Sequence, residues 1–124
     1  MNRVLITTAL LILTALLAPC QAKQLKNEGF YAQQWCRENK GKFGTLSPSG
    51  GLIDCLTSQY AVDCAFAEKW PETIGRALFN ALETSKDAGV CLILKSPQEQ
   101  RYWLDLNRTI THHKLPIRTW LVQP

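Results

Sequence analysis

The sequence predicts an α/β domain with a single mixed sheet and helices on both faces, in the order αβββαβαβ. Three observations carry this prediction. Three short β-prone runs lie close together between residues 43 and 66, separated only by turn residues. Two amphipathic helical patterns come after them, each followed by an apolar run. One more helical pattern precedes them all.

The first helix is read over Asn27 to Lys40, where Phe30, Tyr31, Gln34, Trp35 and Glu38 fall at helical spacing. Asn27 suits the N-cap, and Gly41 suits the end. A strand is expected at Phe43–Leu46 and another at Leu52–Leu56. The turn-rich Ser47-Pro48-Ser49-Gly50-Gly51 joins them as a hairpin. Tyr60–Phe66 reads as a third strand. Lys69–Ser85 reads as an amphipathic helix, because Trp70, Ile74, Leu78 and Leu82 recur every four residues beside Ala77 and Ala81. Pro71 places the start of that helix near itself, since proline is tolerated only in the first turn. Val90–Leu94 is continuously apolar, as suits a strand buried on both faces. Ser96-Pro97-Gln98-Glu99 has the form of a capping box opening the last helix, which runs to about His113. Pro116 stops it, and Ile117–Val122 is the last strand. Short turns allow the early strands to be antiparallel. Helical crossovers require the later ones to run parallel to a neighbour.

The chain has 124 residues. Residues 1–22 have the layout of a secretory signal: a positive start at Arg3, an apolar run from Val4 to Leu17, Pro19, then Cys20-Gln21-Ala22. The apolar run falls short of the roughly 20 residues a spanning helix needs. Cleavage after Ala22 is expected, leaving residues 23–124 as one domain without a membrane span, periplasmic or secreted. An uncleaved anchor and lipidation of Cys20 are the competing readings; Pro19 directly before Cys20 suits lipidation badly. Loss of Arg3 takes the 14 basic residues to 13 against ten acidic ones, a net charge of +3. That balance is ordinary for a soluble domain and only weakly favours nucleic acid.

Cys36, Cys55, Cys64 and Cys91 remain after cleavage. An even number in a small exported domain reads as two disulfides. There is no C-x-x-C, and no histidine lies near a cysteine, so a zinc site is disfavoured. Three pairings are possible, and spacing does not choose among them. The one adopted joins Cys36 on the first helix to Cys55, and Cys64 to Cys91 across neighbouring strands. Each bridge would add about 3 kcal/mol through loop-closure entropy.

Asp54 and Asp63 interrupt two apolar strands. An acid there is costly unless it is solvated, paired or bound to a cation. In a hairpin the two carboxylates share one face, with Cys55 and Cys64 on the other. A hard cation such as Mg²⁺ would relieve their repulsion. Lys69 follows, positioned to orient a water or stabilise developing negative charge. The competing reading has both acids paired with Lys69 or another basic residue, and Lys69 merely covering Trp70. His112-His113 is read as a helix C-terminal feature with diverging rings. The four tryptophans are read as core. No nucleophilic-serine motif, phosphate loop or dinucleotide fingerprint is present.

Asp54-Cys55-Leu56-Thr57, Ala61-Val62-Asp63, Phe66-Ala67, Lys69-Trp70 and Ile74-Gly75 together resemble a small group within the PD-(D/E)XK nuclease superfamily. The element order matches that superfamily's αβββαβ core. The resemblance implies a restriction-endonuclease-like fold. It also implies Asp54 and Asp63 as ligands of Mg²⁺, Lys69 as the assisting lysine, and Arg76 at a phosphate-contacting position. It is specific from about Asp54 to Leu82. Asp63 stands where the group has Glu, Ala65 where a second acid is usual, and Arg76 where Gln is usual. These departures imply eroded catalysis. The chain is expected to be a nuclease-like domain that binds or assists an envelope or secreted partner. The alternatives are an active Mg²⁺-dependent phosphodiesterase and a purely structural envelope component.

Overall fold

The computed structural model describes residues 24–124; the expected signal segment and its expected cleavage point lie outside them. The elements are α1 (Glu28–Glu38), β1 (Lys42–Leu46), β2 (Leu52–Leu56), β3 (Tyr60–Phe66), α2 (Trp70–Thr84), β4 (Asp87–Ile93), α3 (Gln100–His112) and β5 (Ile117–Val122). The order is the predicted αβββαβαβ. The strands form one five-stranded sheet in sequential order. β1, β2 and β3 are antiparallel, and β3, β4 and β5 are parallel. Turn-linked strands thus pair antiparallel, and helix-linked strands pair parallel.

Helices cover both faces. On one side Tyr31, Ala32, Trp35 and Cys36 of α1 bury Cys55, Val62, Cys64, Cys91 and Ile93. On the other, Ala77 of α2 and Leu106 and Ile110 of α3 meet Ala88, Val90 and Leu92. Of the four tryptophans expected in the core only Trp35 is buried; Trp120, 5.1 Å from it between ring centroids, and Trp70 and Trp103 on the α2–α3 side are partly buried and pack against the two cores.

Local signals are met unevenly. The Asn27 side chain accepts the Phe30 N–H at 2.9 Å, which is the expected N-cap. α1 ends at Glu38, before Gly41, with Lys40 in the left-handed region at φ 57°. Gly41 is required for another reason: a Cβ there would overlap the Sγ atoms of Cys36 and Cys55. The Ser96 side chain makes no capping hydrogen bond, contrary to expectation. The helix opens through a 3-10 turn, Pro97–Glu99, and the Glu99 carboxylate accepts instead from the Lys95 N–H at 2.6 Å. On α2 the fully buried face is Thr73, Ala77 and Asn80, not the leucine stripe. Trp70, Ile74 and Leu78 lie at its margin, and Leu82 is 76% exposed.

One of the two expected disulfides is formed, Cys36–Cys55. The second is not: Cys64 and Cys91 are buried thiols. Disulfide formation needs a thiolate. The hydrogen bond to Cys91 and burial hold the Cys64 thiol well above its ordinary pKa.

Candidate functional site

Two strands and two helices bring the site together. The register that pairs Cys55 with Val62 places Asp54 opposite Asp63 one step along. Alternation then turns both acids away from the cysteine side, as predicted, and that face is the one α2 covers. Asp63 is buried, while Asp54 is half-buried. The Asp54 Oδ2 accepts the Cys64 N–H at 2.8 Å, so the first acid is anchored to the backbone beside the second. Each carboxyl group acts on the other: Asp63 lowers Asp54, and Asp54 raises Asp63.

Burial, more than any other influence, pushes Asp63 up to about 7; Arg76 opposes that shift, and the Asp54 charge adds to it. Asp54 is raised too, chiefly by burial, with the Cys64 N–H working the other way.

Arg76 turns inward from α2. Its Nε donates to Asp63 Oδ2 at 3.2 Å, and its side chain stays 49% exposed. The residue expected to meet a phosphate therefore meets the buried acid. Lys69 departs further from expectation. It lies in the 3-10 turn Ala67–Lys69 that leaves the end of β3, and its Nζ donates to Glu28 Oε2 at 3.1 Å. Its partner is Glu28, not Asp54 or Asp63. The same Glu28 oxygen accepts the Phe66 N–H at 2.9 Å, so the start of α1 is stitched to the end of β3.

Glu28 belongs to the cluster without any sequence signature that would place it there. Its charge acts on Asp54, so it belongs to the same electrostatic group. An acid one residue after an N-cap ordinarily signals only the helix dipole. Its reach to β3 is tertiary information that no local pattern carries. Ala65, on the same face of β3 as Asp63, is fully buried and adds no ligand.

The hairpin is held over α2 by Glu83. Its carboxylate accepts from the Ser49 N–H at 3.0 Å and from the hydroxyls of Ser47 and Ser49. This strut fixes the β1–β2 arm that carries Asp54. A groove of about 880 Å³ lies elsewhere, along α3 and Trp70, lined by Leu104, Arg108, His112 and His113. The two histidine rings do not diverge as predicted. They meet edge to face at 4.8 Å, because His113 has left helical geometry as the C-cap.

The acids suit magnesium poorly as they are arranged. Mg²⁺ requires ionised oxygens in near-octahedral geometry. Here one Asp63 oxygen is engaged by Arg76, and burial raises Asp63 to about 7, so its ionised form is disfavoured. Among the described residues, no three His, Cys, Asp or Glu side chains converge to hold a metal ion, and no buried side-chain nitrogen or oxygen lacks a hydrogen-bond partner. The arrangement can bind a proton near neutrality and keep two strands and α2 in register through charge.

The fold and cluster define an α/β domain with a charge-paired acid site on one mixed sheet. No protein-family model, curated protein or solved structure matches the chain.

Proposed function

We propose that this chain is an exported nuclease-like domain whose acid pair is neutralised from within, and that it acts as a binding or accessory protein of the cell envelope. One observation carries the reading: the guanidinium of Arg76 bonds the buried Asp63 where a catalytic pair would hold a cation. The other site groups are similarly engaged, Asp54 by the Cys64 N–H and Lys69 by Glu28. Export is supported by the signal layout of residues 1–22 and by the Cys36–Cys55 bond, which belongs in an oxidising compartment.

The rival is an active phosphodiesterase using Asp54, Asp63 and Lys69 with Mg²⁺. Its support is the placement of two acids on adjoining strands. A cleavage assay separates the two readings. The mature chain, offered single- and double-stranded DNA and RNA with Mg²⁺ or Mn²⁺, should leave them intact. Cross-linking in intact envelopes should capture the same neighbour with Asp54→Ala as with the wild type. Metal-dependent cleavage that disappears in Asp54→Ala would overturn the proposal.

A further inference from the structure

The acid cluster leaves two reactive groups unused: the thiols of Cys64 and Cys91. They are register partners on the parallel strands β3 and β4. Neighbouring strands lie about 4.8 Å apart, and a disulfide accepts Cα separations of roughly 4.4–6.8 Å. Both side chains project to the α1 side and are buried in the same cluster.

α1 supplies the helical cover over them, with Tyr60, Phe66 and Trp120 packed against the same cluster. Tyr31, Ala32, Trp35 and Cys36 complete the cluster that encloses both thiols. α1 is itself fastened to β2 by the Cys36–Cys55 bond. All four cysteines of the described residues therefore share one buried cluster. The bonded pair ties down the helix that covers the unbonded pair.

We propose that Cys64 and Cys91 are a dithiol–disulfide couple gated by α1, with the Cys36–Cys55 bond as the latch. With the helix seated, an external disulfide has no path to either sulfur. With the helix released, a thiolate of the pair attacks the external disulfide, forming a mixed disulfide and expelling one thiol. The second cysteine then attacks the protein sulfur of that mixed disulfide and expels the other thiol. The pair loses two electrons and two protons, and the external disulfide is reduced to two thiols. The product ties β3 to β4 at Cys64, the residue whose N–H anchors Asp54. The proposal is independent of the function proposed above.

Oxidised glutathione is the probe. The mature wild-type chain, with Cys36–Cys55 closed, is incubated with it under native conditions, then denatured, alkylated and weighed. Two alkylated thiols are expected, with almost no closure. The Cys36→Ser/Cys55→Ser variant should close the pair at least tenfold faster, giving a product lighter by two hydrogens that takes no alkylating agent. Trp35→Ala, which loosens α1 with the latch intact, should fall between. If circular dichroism shows either variant unfolded, wild type in denaturant below its unfolding transition supplies the same comparison, and closure should accelerate there. Equal rates in the latched and released chains would overturn the gating. Glutathione adducts on both cysteines without closure would overturn the couple.

Discussion

Asp63 carries an acid into a place where only its partners make ionisation tolerable. Its pKa is raised toward 7, chiefly by burial. The sign follows from linkage. Between the ordinary carboxyl range and about 7 the folded chain binds more protons at this site than the unfolded chain. Stability from this group is therefore full at low pH and falls as pH rises through that window. Thermal melts from pH 5 to 8 should show this decline in the wild type, and Asp63→Asn should flatten it. Arg76→Ala makes a second test. Breaking a buried ion pair costs roughly 3–5 kcal/mol. Half of the Arg76 side chain is in water, so about 2 kcal/mol is expected, measured by denaturant unfolding at pH 8. The loss should shrink at pH 5, where a protonated Asp63 no longer needs the guanidinium. At this scale the sequence was only partly legible. Asp54 and Asp63 stood out because acids inside apolar strands are costly. Which cation would meet them did not, because Lys69 and Arg76 are both within plausible reach along the chain. Only the path of the 3-10 turn sends Lys69 to Glu28.

Elements were the most readable level. Period-four apolar positions, the Asn27 cap, Pro71, Pro116 and the Ser47–Gly51 turn each have a local physical cause, and the observed strands and helices follow them closely. β4 begins three residues earlier than its apolar run, at Asp87, because pairing with Tyr60 extends it. Two glycines join elements in ways that spacing does not reveal. A Cβ on Gly89 would stand 2.7 Å from the Trp120 ring and 3.0 Å from Val62, so Gly89→Ala should cost about 1–3 kcal/mol as overpacking, read by chemical denaturation. A Cβ on Gly41 would collide with the α1–β2 disulfide. Gly41→Ala should therefore lower the yield of the Cys36–Cys55 bond on oxidative refolding, counted by thiol titration. Losing that bond outright, in Cys36→Ser/Cys55→Ser, removes about 3 kcal/mol on the loop-closure view.

For the whole molecule, sheet order and parallelism followed from connection length alone, which is why the mixed sheet was predictable. The redox state of the second cysteine pair was not, since it depends on what α1 covers. Nor was the internal neutralisation of the acid site, which arises only when α2 is laid across β3 and brings Arg76 to Asp63. The molecule keeps the frame of a two-acid site while a side chain of its own supplies the positive charge. Calorimetric titration of residues 23–124 with Mg²⁺ near pH 7.5 tests this most directly, with Asp54→Ala alongside. Only heats of dilution are expected for both chains. A saturable one-to-one isotherm in the wild type that vanishes in Asp54→Ala would contradict it.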